Sequence, residues 1–369
     1  MKVVIFSVKF INYMASLTES LSKIADLEIL LIVPKNEDPL MNKIWSSNLK
    51  LKILDMPRLS SPSIFFFMIN VLKEITNFKP DLIHIQHNGH PFFFLIFPFL
   101  YKYPIVDTIH NAKPHLGEEK FRTKFMMHVS LFFSSNFITH GNNVKRQMLR
   151  YYGIDSNRVD FTFMGGDIQR GVGIMSQFES TLDSESDNLI LFFGRIWQYK
   201  GLDYLVLAEP LISKQIENFS IIIAGTGEPI EKYEARMVNR ENFKIINKSI
   251  ELDEINELFQ KASLVVLPYI SASQSGVIPL AYSYCKPVVS THVGSLSEYV
   301  LNGNTGILVK PRDEKALARA INLLLENQSF RKKLGQQGRN FYQEKLSWEN
   351  IAQRTVEIYK KSILSKIKK

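Results

Sequence analysis

The sequence predicts an α/β protein built from two tandem domains, each with a parallel sheet. Short apolar runs rich in β-branched and aromatic residues alternate with longer amphipathic segments through all 369 residues. This alternation is the pattern of right-handed βαβ crossovers. It stops at residues 176–188, a polar and acidic stretch with little periodicity, and then starts again. We therefore expect two Rossmann-like domains whose sheets face each other across a ligand-binding cleft.

The first predicted domain covers residues 1–175. Its apolar runs are short and are bounded by polar turns, which is typical of strands. Amphipathic segments at 64–77 and 119–135 predict helices between them. Residues 1–8 run directly into the first strand pattern, so we expect no signal peptide. The predicted strands of this domain are residues 2–8, 27–33, 51–56, 81–86, 104–110 and 136–141.

The acidic stretch at 176–188 is the predicted linker, and residues 189–346 form the second predicted domain. Residues 347–369 predict a final helix that packs back on the first domain. Ser347 is its expected N-cap, Glu349 lies in its first turn and lysines lie at its end. The predicted strands of the second domain are residues 189–194, 220–225, 243–247, 264–269, 287–291 and 306–309.

The net charge of +9 is concentrated in the first half of the chain, where residues 1–170 contain 20 Lys and Arg against 14 Asp and Glu. Binding to nucleic acid is not supported as the reason for this positive charge, because the sequence contains no zinc-finger, helix-turn-helix or basic-aromatic RNA motif. An anionic membrane surface is the interpretation that we favour. A solvated charge excess without function is the alternative.

Two other sequence features indicate where in the cell the protein is located. The longest apolar run, residues 91–101, is too short to cross a bilayer, which needs roughly 20 residues. We expect this run to form a buried helix, with contact to a membrane surface as the alternative. Cys285 is the single cysteine, so a disulfide within the chain is excluded and a reducing compartment is indicated. We expect a cytoplasmic protein, peripheral at the inner face of the cell membrane.

A candidate anion site follows the first strand of the second domain. Gly194 and Arg195 come at the end of that strand, and Lys200 precedes the next helix. Two cations near a helix N-terminus suit a diphosphate, since Arg offers a fork of donors and Lys a point charge. Two solvated surface cations are the alternative.

Glycines follow the next strand, at Gly225 and Gly227. Glycine allows close approach of the backbone to a ligand, so both are candidate ligand-binding positions. The fingerprint G-x-G-x-x-G is incomplete because Ile230 occupies its last position, and no Walker lysine pattern occurs. The sequence therefore argues against an NAD-binding fingerprint and a P-loop ATPase. The loop from residue 247, which includes Lys248, could bracket a base through its backbone groups.

Histidines lie at predicted strand ends in the first domain. His110 ends the strand at 104–110, at the carboxyl edge where ligands of α/β proteins bind. For four others, an ordinary loop histidine is the favoured interpretation. No cysteine or carboxylate accompanies any of these histidines at a familiar zinc spacing, so we expect no metal site. The four other histidines are His87, His90, His115 and His140.

The order of motifs in the second half resembles glycosyltransferase family 4, whose members are retaining enzymes of the GT-B fold. The segments "GRIWQYKG", "IIIAGTGEP", "KASLVVLPY", "GVIPLAYSYCKPVVST" and "NGNTGILV" occur in the family's order. The first half fits the family's acceptor domain with weaker motifs. The resemblance implies that the second domain binds a nucleoside-diphosphate sugar and that His110 matches a histidine that contacts the donor sugar.

The chain departs from the family at the donor site itself. Family members carry two glutamates, which contact the sugar and the ribose hydroxyls, and these positions are Ala272 and Leu280 here. In our favoured interpretation the site is rebuilt: the segment Ser273, Gln274, Ser275 and Gly276 supplies hydroxyls, an amide and backbone N–H groups at the start of a helix. The alternative is a degenerate, non-catalytic relative.

The resemblance implies transfer of a hexose from a UDP- or GDP-sugar to a hydroxyl of a glycan or polyprenyl-diphosphate-linked glycan. Catalysis would depend on His110, Arg195 and Lys200, without a cofactor or metal. Arg195 and Lys200 would neutralise charge on the leaving diphosphate. A catalytically silent partner subunit and a UDP-sugar 2-epimerase of the same fold are the alternatives.

Overall fold

The computed structural model describes residues 1–8, 11–35, 48–86, 90–112, 121–166 and 188–367. The chain forms two compact units. The first consists of Met1–Phe163 together with Trp348–Lys369, and the second is Met164–Ser347. The predicted linker, residues 176–188, lies outside the described residues except for Asn188.

The first unit contains a parallel sheet in the strand order β3-β2-β1-β4-β5-β6-β7. The chain leaves β1 toward β2 and later returns to β4, so a topological switch point lies beside β1. In chain order, the elements are β1 (Lys2–Ser7), α1 (Ile11–Ser22), β2 (Glu28–Pro34), β3 (Leu49–Leu54), α2 (Ser63–Phe78), β4 (Leu82–Gln86), α3 (Phe92–Leu100), β5 (Ile105–Ile109), α4 (Phe121–Phe133), β6 (Asn136–Thr139), α5 (Asn142–Tyr152) and β7 (Val159–Phe161).

Helices α2, α3 and α4 share one core with the strands they cover. Buried positions of α2 recur at helical spacing, which directs one side of the helix onto the sheet. In α3, Phe92, Phe93 and Phe97 are buried in the same core. The prediction of a buried helix at 91–101 is therefore correct for one side only. Phe94 and Phe99 of α3 are 48% and 54% exposed.

The second unit has a parallel sheet of its own, in the order β10-β9-β8-β11-β12-β13. Its core includes α6, α11 and the strand residues that face them. In chain order, the elements are β8 (Leu189–Phe193), α6 (Leu202–Ile212), β9 (Ser220–Gly225), α7 (Glu231–Glu234), β10 (Phe243–Asn247), α8 (Leu252–Lys261), β11 (Leu264–Leu267), α9 (Val277–Ser283), β12 (Val288–Thr291), α10 (Leu296–Tyr299), β13 (Gly306–Val309), α11 (Glu314–Glu326) and α12 (Gln328–Phe341).

The last helix, α13 (Trp348–Ile367), is part of the first unit. It packs against α1, where the rings of Tyr13 and Trp348 lie 5.1 Å apart. Nearer its end, the Lys361 ammonium donates to Asp160 at 2.7 Å. Because Asp160 lies in β7, this ion pair fixes α13 to the edge of the sheet.

The sequence places the strands correctly but misses one of them. Strand β7 is three residues long, too short to show the alternation on which the prediction depends. The predicted helix at 119–135 is α4, whose first predicted residues, 119–120, lie outside the described ranges. Within those ranges, no helix has both the length and the apolarity to cross a membrane.

Candidate functional site

Two loops meet at the carboxyl edge of the second sheet. Gly194 follows β8, and its N–H donates to the Ala224 carbonyl at 2.9 Å. A Cβ on Gly225 would lie 1.9 Å from the Gly194 carbonyl oxygen, and a Cβ on Gly227 equally close to that of Ile196. The sequence assigned these glycines to the approach of a ligand. In the structure, contact between the two loops already requires their lack of a side chain.

Lys200 lies in a single 3₁₀ turn before α6. Gly201 follows in the left-handed conformation, with φ of 69°, and a Cβ there would lie 1.9 Å from the Pro268 carbonyl oxygen. The Ile270 N–H donates to the Tyr199 carbonyl at 2.8 Å. These contacts hold the turn against the residues that follow β11, and they limit where the Lys200 side chain can lie.

The Lys200 ammonium lies 3.8 Å from the centroid of the Tyr269 ring. The pKa of Lys200 is lowered to about 8, mainly by burial; Tyr199 opposes this shift and the nearby Arg195 guanidinium adds to it. Arg195 donates to the Tyr199 hydroxyl at 3.3 Å. In the part of the chain that the structure describes, neither cation forms an ion pair with a carboxylate. Two uncompensated cations in this position can hold an anion.

The segment 272–276 leads from β11 into α9. The hydroxyls of Ser275 and Tyr269 lie 3.1 Å apart, so Ser275 is tied to the ring under Lys200. Ser273 accepts a hydrogen bond from the Ser295 N–H at 3.1 Å. The Gln274 Oε1 atom is shielded from solvent and has no hydrogen-bond partner among the described residues. An unsatisfied amide oxygen is costly unless a ligand completes it.

The two positions where the family carries glutamates differ in their surroundings. Leu280 is 5% exposed within α9, and its backbone N would lie 3.2 Å from a Cβ on Gly166. Ala272 is half-buried, and its carbonyl oxygen would lie 1.6 Å from a Cβ on Gly294. We expected the N-terminus of α9, at Gly276, to contribute its helix dipole to anion binding. Because α9 has only seven residues, this dipole is small.

Lys248 contributes less to the candidate donor site than the sequence suggests. Its ammonium pairs with Glu254 at 2.7 Å, and its side chain is largely exposed. Glu254 also closes a capping box with Glu251 at the start of α8. The charge of Lys248 is therefore already neutralised at this helix N-terminus. The backbone of its loop is the part that stays available to a base.

The first unit brings three histidines together at the carboxyl edge of its sheet. His110 lies 4.9 Å from His140 between ring centroids, and its Nε2 is 2.5 Å from the Gln86 Nε2. The third is His84, within β4, which lies 2.6 Å from the Tyr359 hydroxyl. Sequence reasoning missed His84, whose alternating position in an apolar strand was the available signal.

All three imidazoles are neutral at neutral pH. Burial lowers the pKa of His84 to about 3 and that of His140 to about 4. The pKa of His110 is lowered well below its usual value, first by burial and then by His140 and His84. His110 is 2% exposed, so it is a buried member of this cluster rather than an open loop residue.

The other predicted loop histidines are dispersed. His90 accepts the Phe92 N–H at 3.3 Å at the start of α3, while His87 and His115 lie outside the described residues. Within the described ranges, no group of three His, Cys, Asp or Glu side chains could hold a metal ion.

Comparison with known proteins supplies the family. The model described as Glycosyltransferase Family 4 matches residues 12–170, and the one described as Glycosyl transferases group 1 matches residues 187–327. An uncharacterized glycosyltransferase of Methanocaldococcus jannaschii is 25% identical over 76% of this chain and 75% of its own. D-inositol 3-phosphate glycosyltransferase of Pseudarthrobacter chlorophenolicus is 24% identical over 82% of this chain and 77% of its own.

Solved structures share the fold. HepE of Anabaena in complex with UDP superposes with a TM-score of 0.76 at 16% identity, over 98% of this chain and all of its own. Sucrose-phosphate synthase of Thermosynechococcus elongatus gives a TM-score of 0.75 at 18% identity, over 98% of each chain. The two parallel sheets thus form a GT-B fold. The chain is a glycosyltransferase and belongs to glycosyltransferase family 4.

Proposed function

We propose that this chain is a retaining hexosyltransferase whose donor is a UDP- or GDP-sugar. The observation that carries the proposal is the pair Arg195 and Lys200. Both cations lie at the carboxyl edge of the second sheet, and neither pairs with a carboxylate among the described residues. Anabaena HepE, which shares this fold, binds UDP and UDP-glucose. A nucleoside diphosphate is the anion that best fits this position.

In this proposal, Arg195 and Lys200 stabilise the negative charge that grows on the diphosphate as the glycosidic bond breaks. Preorganised charges of this kind are commonly the largest electrostatic contribution to catalysis. They act here in place of a metal ion. The acceptor hydroxyl attacks the face of the sugar that the diphosphate leaves, and a departing phosphate oxygen takes the acceptor proton. The family resemblance assigns His110 to the donor sugar, but its neutral imidazole is buried in the first unit.

The segment Ser273 to Gly276 takes over part of the role of the missing glutamates. Gln274 supports this assignment, because its shielded Oε1 lacks a hydrogen-bond partner in the described structure and could accept one from a sugar hydroxyl. The acceptor is a hydroxyl of a glycan or of a lipid-linked glycan at the inner face of the membrane, in the synthesis of a surface polysaccharide or glycoconjugate.

One observation favours a silent partner subunit as the second candidate. The position of one glutamate is filled by Leu280, which is buried, so this carboxylate has no substitute at its own place. A silent subunit could bind a nucleotide without turning it over, whereas an epimerase would convert the sugar and leave the nucleotide attached.

The experiment combines binding with turnover. Thermal unfolding of the full chain is followed with UDP, GDP and their hexose conjugates, because a bound ligand stabilises the folded state. Sugars that stabilise the protein are then incubated with it, and free nucleoside diphosphate is measured. Binding with release of nucleoside diphosphate supports a transferase. Binding without any conversion supports the silent subunit, and a converted sugar still attached to its nucleotide supports the epimerase.

A further inference from the structure

An apolar surface covers the outer sides of α2, α3 and α4 in the first unit. Each helix packs its inner side into the core that it shares with the sheet. The outer sides carry seven large apolar side chains that are between 43% and 81% exposed. We call this set the phenylalanine face. Its members are Phe65, Phe66 and Ile69 of α2, Phe94 and Phe99 of α3, and Phe125 and Phe132 of α4.

The phenylalanine face is continuous between α3 and α4, and α2 packs beside α3. The rings of Phe94 and Phe125 lie 5.8 Å apart and join α3 to α4. Phe132 contacts Phe133, which stacks on Phe97 at 5.5 Å. Single exposed apolar residues are ordinary on a protein surface, but several large exposed side chains on three neighbouring helices indicate a site of interaction.

The net charge of the helices that carry the phenylalanine face is positive. Helices α2, α3 and α4 together contain a single acidic residue, Glu74, and it pairs with Lys52 at 3.0 Å. Lys73 of α2 and Lys102, two residues after the end of α3, are exposed. The Lys366 ammonium donates to the Tyr101 carbonyl at 2.9 Å, so the lysine-rich end of α13 adjoins the end of α3. The surface is apolar and cationic at once.

This combination identifies the partner. A second copy of the chain would bring like charges together across the interface, which is unfavourable. An anionic phospholipid surface offers apolar chains to the aromatic rings and phosphates to the lysines. We propose that the phenylalanine face docks this protein on a membrane rich in anionic phospholipid. Phe66 and Phe132 enter the headgroup boundary, and Lys73 and Lys102 lie at the phosphates. The proposal deepens the membrane location put forward above, and its test needs no sugar donor.

The test measures co-sedimentation of the full chain with vesicles of phosphatidylcholine alone or mixed with phosphatidylglycerol. We expect binding to the mixed vesicles only, weakening as salt rises above about 0.1 M, where charges are screened beyond roughly 10 Å. The variant Phe66→Ser with Phe132→Ser should bind at least about tenfold more weakly, because it loses buried apolar area. Lys73→Glu with Lys102→Glu should cost about as much, since each cation near an anionic surface contributes to binding.

Matched variants on the second unit provide the controls. Val238 and Leu323 are also exposed apolar residues, and Lys332 and Lys333 are exposed cations. Their Ser and Glu replacements should leave vesicle binding unchanged, and every variant should keep its affinity for UDP. Binding to neither vesicle, equal binding to both, or an equal loss in the controls would overturn the proposal. So would a dimer that forms without vesicles and dissociates in Phe66→Ser with Phe132→Ser, which would identify a second copy as the partner.

Discussion

Lys200 is a half-buried residue whose ammonium faces an aromatic ring rather than a carboxylate. The Tyr269 ring stabilises this cation through its electron-rich face. It does not remove the cost of burial, and the pKa of Lys200 accordingly falls to about 8. An anion would relieve that cost and raise the pKa again. The residue is therefore suited to hold a proton most firmly when a phosphate is bound.

The affinity for UDP should depend on this proton. Above a pH of about 8, the free protein loses the charge on Lys200. Binding should then weaken by about tenfold per pH unit, until the pKa of the bound state is reached. Calorimetric titration with UDP between pH 7 and pH 10 measures the slope. Lys200→Met should bind weakly and without this slope, whereas Lys332→Met should behave as the unmodified chain. A flat profile in the unmodified chain would contradict the assignment.

Placing the family glutamate at position 280 should not increase the rate of sugar transfer. Leu280 is buried in α9, and a carboxylate placed there without a partner costs several kcal/mol or stays protonated. Leu280→Glu should lower the free energy of unfolding in denaturant titrations and should not raise the rate of sugar transfer. Leu280→Met is the volume-matched control and should be nearly neutral. A more active Leu280→Glu enzyme would show that the site is a decayed form of the family site.

Gln274 should affect the sugar more than the nucleotide. Its unsatisfied Oε1 suits a sugar hydroxyl, while the phosphates are assigned to Arg195 and Lys200. Gln274→Ala should therefore reduce kcat/KM for a sugar donor and leave the Kd for free UDP nearly unchanged. Gln336→Ala, in α12, is a control on a polar residue away from this segment. Equal losses of UDP affinity and turnover in Gln274→Ala would place Gln274 at the nucleotide instead.

At the scale of the elements, the two loops that follow β8 and β9 shape the site. The loops after β8 and β9 touch backbone to backbone, which only glycine allows at Gly225 and Gly227. Gly227→Ala should push Ile196 and its neighbour Arg195 outward, and the affinity for UDP should fall by tenfold or more, about 1.4 kcal/mol. Gly153→Ala is the control: with φ of 61° it should also strain the backbone, but it lies in the first unit and a Cβ there meets nothing within 4 Å, so UDP affinity should not change. Unchanged UDP affinity in Gly227→Ala would show that loop contact does not position the cation.

The sequence predicts the strands better than the site. Parallel strands are buried on both sides, so their continuous apolar runs stand out between polar turns. The cation pair could also be predicted from the sequence, because Arg195 and Lys200 flank a strand-to-helix turn. Contacts between residues that are distant in the chain could not be predicted. Neither the ion pair of Lys248 nor the grouping of His84 with His140 follows from local spacing, since both depend on tertiary packing.

At the scale of the whole molecule, the buried histidines make stability depend on pH. Their folded-state pKa values lie below the unfolded value near 6.5. The stabilisation is therefore complete above about pH 6.5. It is lost as the pH falls toward 4 and then 3, because the unfolded chain binds protons that the folded one excludes. At pH 4 the loss should reach roughly 3 kcal/mol for His84 or His140, because each pH unit below 6.5 costs about 1.4 kcal/mol until the folded-state pKa is reached.

Denaturant unfolding between pH 7 and pH 4 tests this dependence. The unmodified chain should lose stability steeply over that interval, and His84→Gln should show a shallower slope because one neutral histidine has been removed. His128→Gln, at an exposed position of α4, should retain the full slope. Equal slopes in all three proteins would show that the histidine cluster takes up protons without unfolding.

The central claim is that Arg195 and Lys200 hold the diphosphate of a nucleotide-sugar donor, and calorimetric titration with UDP and GDP tests it most directly. Arg195→Ala and Lys200→Ala should each weaken the better ligand by about 1.5–3 kcal/mol, the contribution of a hydrogen bond to a charged group. Their combined effect should fall short of the sum, because they share one anion. Arg319→Ala and Lys332→Ala, at exposed positions, should bind as the unmodified chain does. Unchanged affinity in both Arg195→Ala and Lys200→Ala would contradict the account and place the donor elsewhere.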